Sequence, residues 1–270
     1  MELPLEFEQI LSSVTESSHT CGKHHTKMVQ YKDAEPFCRQ CTLERINAEE
    51  QEHITRAINQ ERERERRYLN TNSLLDDETL AAAKFETFTT NNEKEDQIRW
   101  TAAEHAKRYL DGETFNTLMV GPAGTGKSHL AMAILNQVNE EADPAQAVAF
   151  VGTGELLRKI RNSFDDRQST DTEEKMIARF AKPELLVLDD LGSETGGIGT
   201  SKQASDFTQN VLYSLMNRRQ GKSTIITTNL NGKQINAMYD QKLISRLLRG
   251  TKGNIIKFDD IPDKRMTLDF

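Results

Sequence analysis

The stretch "GPAGTGKS", residues 121–128, matches the pattern G-x-x-x-x-G-K-[ST]. It follows the apolar run "FNTLMV" (115–120) and precedes a helix predicted over 127–141, which is the setting that this pattern requires. Glycines let the loop bend so that backbone N–H groups point inward at phosphate oxygens, and the helix adds its positive N-terminal end. A plain glycine turn has no need of Lys-Ser at this offset, so the stretch predicts a phosphate cradle.

The side chains of this loop have separate predicted tasks. Lys127 supplies a point charge to the β- and γ-phosphates, and the Ser128 hydroxyl is a ligand for Mg²⁺. The residues predicted to contact the nucleotide from this loop are Gly121, Pro122, Ala123, Gly124, Thr125, Gly126, Lys127, Ser128 and His129.

Two further strands end in polar residues. The run "LLVLDDLG" (185–192) places Asp189 where it can hold Mg²⁺ through water and Asp190 where it can orient an attacking water. The run "IITTNL" (225–230) places Asn229 near the γ-phosphate, although an asparagine there could instead cap the following helix. Together with the cradle, these runs predict a site for phosphoryl transfer.

Arginines near the end of the chain are weaker candidates. Arg246 and Arg249 in "ISRLLRG" and Arg265 in "DKRM" could neutralise charge in a transition state, within the chain or from a neighbour. A single arginine is more often a surface residue.

From about residue 95 onward, predicted strands alternate with predicted helices, which indicates an α/β fold with a parallel sheet flanked by helices. We predict three parts: an N-terminal helical domain (1–69) that contains all three cysteines, a linker (70–94) with an apolar anchor around Phe85 and Phe88, and the phosphate-binding domain (95–270). Residues 42–69 lack Gly and Pro and predict a helix with a thin apolar stripe. That helix is either solvated or docks on a partner subunit.

All three cysteines lie in "CGKHHTKMVQYKDAEPFCRQC", residues 21–41. Cys21 and His24 form one C-x₂-H pair, and Cys38 and Cys41 form a C-x₂-C pair, which together make the tetrahedral ligand set of a closed structural zinc site. His25 could replace His24, His19 is a more distant candidate, and free cysteines are the plain alternative. So short a segment can hardly hold a core unaided, and zinc would stabilise it.

Composition limits the compartment and the partners. The acidic start "MELPLEFEQI" lacks a secretory signal, and the longest apolar runs are strand-sized, so we expect a cytoplasmic protein without a membrane partner. A net charge of −7 argues against global attraction to nucleic acid but leaves room for a local basic groove. "LLRKIRNSF" (156–164), with Arg158, Lys159 and Arg161, is one such candidate, and a solvated helix face is the alternative.

The order "GPAGTGKSHLA … LLVLDDLGSE … IITTNL … ISRLLRG" resembles the AAA+ ATPases, in particular the DnaC/DnaI-type helicase loaders and their relatives, the IstB-type transposition ATPases. The resemblance covers roughly residues 85–268. It implies these roles: Lys127 and Ser128 as Walker A, Asp189 and Asp190 as Walker B, Asn229 as sensor 1, Arg246 as the arginine finger and Arg265 as a sensor-2 residue that contacts the nucleotide. One departure is Asp190, where the family usually has Glu, and slow or partner-dependent hydrolysis is therefore a hypothesis.

The resemblance also implies a function. An ATP-dependent loader would self-associate through ATP-bound AAA+ domains, engage the hexameric replicative helicase through its N-terminal region and place it on single-stranded DNA. Its cofactors would be ATP, Mg²⁺ and Zn²⁺, the last at a DnaI-like N-terminal segment. The rivals are an IstB-like transposition ATPase and a nucleotide-gated adaptor with little hydrolysis.

Overall fold

The computed structural model describes residues 13–166, 168–195 and 203–265. The chain divides into two compact units, Met1–Glu61 and Arg62–Phe270. In the first unit, strands β1 (Val14–Thr20) and β2 (Lys27–Tyr31) pair antiparallel. Helix α1 (Arg39–Asn72) begins in this unit and its last residues belong to the second.

Helix α1 is solvated along most of its length. Ion pairs one turn apart, such as Arg56 with Glu52 and Arg67 with Glu63, line its surface. Its buried residues are Tyr68 and Leu69, both in the second unit. The four apolar side chains of the thin stripe are exposed: Leu43, Ile46, Ile54 and Ile58. The described chain therefore leaves this stripe uncovered.

The second unit is a three-layer α/β domain. The strands are β3 (Thr117–Val120), β4 (Val148–Gly152), β5 (Leu185–Leu191), β6 (Ser223–Thr228) and β7 (Ile255–Lys257). They form one parallel sheet in the order β4-β5-β6-β3-β7. The helices are α2 (Glu93–Leu110), α3 (Lys127–Glu141), α4 (Thr153–Asn162), α5 (Glu173–Ala181), α6 (Asp206–Arg218), α7 (Gly232–Met238) and α8 (Gln241–Leu247). Short 3₁₀ turns cover Glu78–Ala82, Ser163–Asp165 and Ser193–Thr195.

Burial on both faces explains why the central strands have continuous apolar sequences. Along β5, Leu186 and Leu188 join the core on one face of the sheet, and Leu185 and Val187 join the core on the other. The predicted α/β class, with a parallel sheet flanked by helices, is confirmed. Among the described residues, no helix combines the length and apolar character needed to cross a membrane.

The start of the predicted linker packs along one edge of this sheet. The Leu74 N–H donates to the Phe150 carbonyl, and the Gly152 N–H donates to the Leu74 carbonyl, so this segment covers the outer edge of β4. At the predicted anchor, Phe88 is buried in the core and Phe85 packs partly buried against it. The predicted domain boundaries at 69 and 94 stay predictions.

Two isoleucines of the sheet, one buried and one exposed, allow the contribution of the core to stability to be tested. Ile226 in β6 is 0% exposed, whereas Ile255 in β7 is 45% exposed. We expect Ile226→Ala to lower the free energy of unfolding by about 2–5 kcal/mol, because it removes buried methyl groups and leaves a cavity. Ile255→Ala should cost less than about 1 kcal/mol. Urea unfolding followed by circular dichroism measures both, and equal losses would contradict the packing described.

Candidate nucleotide site and zinc centre

The phosphate loop joins β3 to α3, and its glycines are required by close contacts as well as by backbone angles. Gly124 and Gly126 have φ of 75° and 92°, a region that favours glycine. A Cβ on Gly124 would lie 1.8 Å from an Asp263 carboxylate oxygen, and a Cβ on Gly126 would lie 2.5 Å from the Phe88 ring. Any side chain at either position would displace a neighbour that supports the loop.

Lys127 is buried at the base of this loop. Its Nζ donates to the carbonyl oxygens of Gly121 and Pro122 at 2.9 and 2.6 Å and to Asn229 Oδ1 at 2.7 Å. Burial lowers the pKa of Lys127 to about 8, against the raising effect of the carboxylates of Asp190 and Asp189. The ammonium is therefore held by neutral oxygens that a phosphate group can replace.

Ser128 and Asp189 meet beside the loop, as predicted for a magnesium site. The Ser128 hydroxyl donates to Asp189 Oδ2 at 3.0 Å, and the Thr227 hydroxyl donates to Asp189 Oδ1 at 2.6 Å. Burial raises the pKa of Asp189. Hydroxyl and carboxylate oxygens are the ligands that Mg²⁺ prefers, so these two residues fit the ion.

Asp190 is turned toward Asn229 by an unusual backbone. Its φ of 52° lies in the left-handed region, which Asp and Asn tolerate better than most residues. Its N–H donates to the Thr227 hydroxyl at 2.8 Å, and its carboxylate accepts a hydrogen bond from Asn229 Nδ2 at 3.0 Å. Asn229 thus bridges Lys127 and Asp190, an arrangement that a simple helix cap does not provide.

The loop opens into a cleft of about 1100 Å³. Besides the predicted residues, the cleft is lined by several that the sequence did not single out, including Asp76, Asp77, Asn91, Thr227, Asp263 and Lys264. Burial raises the pKa of Asp76, and the charges of Glu155 and Asp190 raise it further. The cleft is therefore lined by carboxylates as well as by the cationic loop.

The other predicted loop residues are divided: Ala123 and His129 line this cleft, whereas Gly121, Pro122 and Thr125 are absent from its lining. Ala123 lines it, and the Pro122 carbonyl accepts a hydrogen bond from the Thr125 hydroxyl at 2.9 Å. His129 faces the cleft with Nε2 within 2.9 Å of the Lys84 carbonyl oxygen. Arg265 is exposed and lines the same cleft.

A second cluster of functional side chains lies in the first unit. One potential ligand atom from each of Cys21, His24, Cys38 and Cys41 lies within 4.8 Å of all the others. The Sγ atoms of Cys21 and Cys41 are 3.6 Å apart, and His24 Nδ1 is 3.5 Å from Cys38 Sγ. Four ligands at zinc–sulfur lengths of about 2.3 Å would be separated by about 3.8 Å in a tetrahedron, so the cluster fits zinc.

Glu44 orients the histidine of this cluster. His24 Nε2 lies 3.0 Å from Glu44 Oε1, which leaves Nδ1 facing the three sulfur atoms. A carboxylate behind a metal-binding histidine fixes its ring in this way. His25 is exposed and outside the cluster, and His19 lies 3.0 Å from the Ser17 hydroxyl. The structure thus brings His24, and neither His25 nor His19, to the three sulfur atoms, and its role as a zinc ligand stays a prediction.

Comparison with known proteins shows the family of this chain. The sequence profile described as "IstB-like ATP binding protein" matches residues 26–250, most of the chain. The chain belongs to the IstB-like ATP binding proteins.

Individual relatives are more distant. The chain is 28% identical over 165 residues to the uncharacterized protein YdaV of Escherichia coli (strain K12), covering 60% of each chain. It is 24% identical over 154 residues to the replicative helicase loader DnaC of the same strain, covering 55% of this chain and 58% of DnaC. The chain thus matches only about six-tenths of the length of these curated relatives.

Two solved structures are similar to this chain in fold. The crystal structure of DnaI matches with a TM-score of 0.51 at 21% identity, covering 75% of this chain and 100% of that one. AMPPCP-bound DnaA from Aquifex aeolicus matches with a TM-score of 0.50 at 18% identity, covering 68% and 52%. At these identities the likeness concerns the fold alone.

In this IstB-like ATP binding protein, Arg246 is absent from the residues that line the nucleotide cleft. It is half-buried on α8 and lines a small separate cavity with Arg249 and Lys222. The structure therefore does not bring Arg246 to the nucleotide site of its own chain. Contact with a nucleotide would have to be made on a neighbouring subunit.

The basic residues of α4 are largely engaged within the chain. Arg158 pairs with Glu155 at 2.7 Å, and the Lys159 Nζ lies 3.4 Å from an Asp171 carboxylate oxygen. The Arg161 guanidinium lies 5.1 Å from the centre of the Phe207 ring. Exposed pairs of this kind contribute little, and the Arg158 side chain is still 62% exposed, so a nucleic-acid surface on α4 stays a prediction.

Neighbouring histidines provide a matched test of the zinc site. We expect the wild-type protein to hold about one zinc ion per chain and His24→Ala to lose it, because a closed site needs four ligands. His25→Ala should keep its zinc, since His25 lies outside the cluster. Zinc content after exhaustive dialysis measures both. Equal retention by the two variants would refute the assignment.

The lowered pKa of Lys127 predicts a pH dependence of ATP binding. Phosphate favours the charged amine, so binding raises the pKa of Lys127, and affinity is constant well below pH 8 and falls above it. With a pKa of about 8 in the free protein, ATP should bind about tenfold more weakly at pH 9 than at pH 7.

Lys127→Arg is the control for this titration, because a guanidinium keeps its charge throughout the range. Its affinity is expected to be weaker but independent of pH. Titration of a fluorescent ATP analogue at each pH measures the effect, and the same slope in both proteins would disprove the role of Lys127.

Proposed function

We propose that this protein is an ATP-dependent loader that places a hexameric replicative helicase on single-stranded DNA in the cytoplasm. The observation that carries the proposal is the bridge from Lys127 through Asn229 to Asp190, which joins a phosphate-binding group to an acid that can orient water. The similarity to the replicative helicase loader DnaC supports the choice of helicase as the partner.

In ATP hydrolysis, each of these residues of the cleft would have a separate task. Lys127 exchanges its carbonyl partners for the β- and γ-phosphate oxygens of ATP. Ser128 and Asp189 would hold Mg²⁺, which would neutralise charge on the phosphates when bound. Asp190 orients the attacking water, and Asn229 keeps the carboxylate of Asp190 beside the γ-phosphate. The shorter side chain of Asp190, compared with Glu, favours slow hydrolysis that a partner stimulates.

The left-handed backbone gives a reason for this departure. At a φ of 52°, Asp is tolerated better than Glu, because its short polar side chain can hydrogen-bond locally. Asp190→Asn is therefore a cleaner test than Asp190→Glu. It keeps the backbone preference and the size of the side chain while removing the charge.

Partner contacts are assigned to different parts of the chain. The unit with the zinc cluster and the exposed stripe of α1 would engage the helicase. ATP-bound subunits would associate so that Arg246 of one reaches the nucleotide of the next, which suits its position outside its own cleft. Zinc would hold the small first unit folded.

A transposition ATPase is the second candidate, because the family profile is that of IstB-like proteins. It would use the same nucleotide site but act with a transposase. A nucleotide-gated adaptor, the third candidate, would bind ATP and show no functional loss in Asp190→Asn. The identity of the partner therefore distinguishes the loader from the transposition ATPase, and the need for hydrolysis distinguishes both from the adaptor.

The decisive experiment mixes the protein with the replicative helicase of its host, ATP and single-stranded DNA, and measures strand displacement. Wild type should stimulate the helicase, whereas Lys127→Ala should not, because it loses the phosphate contact. Asp190→Asn should bind ATP but hydrolyse it at least about 100-fold more slowly. Exposed Lys175→Ala is the control for a lost positive charge. Stimulation by Lys127→Ala equal to that of wild type would rule out an ATP-dependent loader.

A further inference from the structure

A buried ion pair joins the segment 262–265 to the first turn of α2. Lys264 Nζ lies 2.6 Å from Glu95 Oε2, and the two residues are 169 positions apart in sequence. The Glu95 side chain is 0% exposed and that of Lys264 is 19% exposed. A buried acid of this kind needs its partner, because an unpaired charge away from water is costly.

The remaining contacts of Glu95 fix its carboxylate in place. Oε2 also accepts a hydrogen bond from the Asn91 N–H, and Oε1 accepts one from Asn92 Nδ2, both at 3.1 Å. The carboxylate is therefore oriented by the turn that begins α2. Within residues 13–166, 168–195 and 203–265, the contact with Lys264 is the hydrogen bond of this carboxylate that reaches a distant part of the sequence.

Lys264 also contacts the phosphate loop and the Phe88 ring that packs against it. Its backbone N–H donates to the Gly124 carbonyl at 2.9 Å. Its Nζ lies 4.5 Å from the centre of the Phe88 ring, and the edge of that ring abuts Gly126. One residue thus links the buried acid to two glycines of the loop.

The neighbours of Lys264 line the nucleotide cleft. Asp263 packs against Gly124, and Arg265 lines the cleft and is the predicted nucleotide contact from this segment. We propose that Glu95 and Lys264 form a clasp that holds segment 262–265 against the phosphate loop, so that affinity for ATP depends on this pair. Lys264 is a positioning residue, which acts through the loop and through Arg265. The inference rests on the proposed ATP site.

The structure offers a control pair that joins the same turn of α2 to a residue just before the segment 262–265. Lys94 in the first turn of α2 lies 3.0 Å from Asp260, but both side chains are exposed, at 47% and 89%. Exposed pairs of this kind contribute little. Lys94→Met should therefore leave ATP affinity unchanged, although it removes an ion pair between the same turn of α2 and a residue just before this segment.

The test compares Lys264→Met with the double variant Glu95→Gln/Lys264→Met. We measure the Kd for ATP by calorimetry and the unfolding temperature of each protein. Lys264→Met should raise the Kd about tenfold, the size expected for losing one charge-assisted hydrogen bond. It should also unfold at a lower temperature, because it leaves the buried Glu95 carboxylate without its ion-pair partner. The double variant removes that unpaired charge and should recover thermal stability while its Kd stays raised.

A merely structural pair gives the opposite pattern. If the double variant recovers both stability and wild-type affinity, or if Lys264→Met binds ATP like wild type while Lys127→Ala does not, the clasp is wrong and the ATP site stands. If Lys127→Ala also binds ATP like wild type, the nucleotide site is misassigned and the clasp falls with it.

Discussion

A buried lysine ammonium needs an acceptor for each of its three protons, and Lys127 finds them at the ends of two different strands. The carbonyls of Gly121 and Pro122 follow β3, and the amide of Asn229 follows β6. The loop must bend at its glycines to present the two carbonyls, and β6 must lie next to β3 to present the amide. The geometry of the nucleotide site therefore depends on how this one charge is satisfied.

The strand order extends the same network to the acids. Because β6 lies between β3 and β5, Asn229 reaches Lys127 on one side and Asp190 on the other. Thr227, two residues earlier on β6, donates to the Asp189 carboxylate and accepts from the Asp190 N–H. One central strand thus positions the cation and both acids. This explains how a change at the phosphates could be felt at the residue that orients water.

Local sequence patterns predicted the residues that belong to motifs with a short, fixed spacing. The loop 121–128, Asp189, Asn229 and the four zinc-ligand candidates stand out because strand ends and C-x₂-C spacings are short-range features. Thr227, Asp76 and the Glu95–Lys264 pair could not be found in this way. Their partners lie tens of residues or more away, and a Thr, an Asp or a Lys in a polar stretch has no distinctive pattern of its own.

The central claim is that Asn229 couples phosphate binding by Lys127 to the water-orienting acid Asp190. The most direct test is the single-turnover rate of ATP hydrolysis by Asn229→Ala at saturating ATP. We expect a rate about 100-fold or more below that of wild type, because the hydrogen bonds of Asn229 to Lys127 and to Asp190 are both lost. A rate within about twofold of wild type would show that the bridge has no part in the reaction.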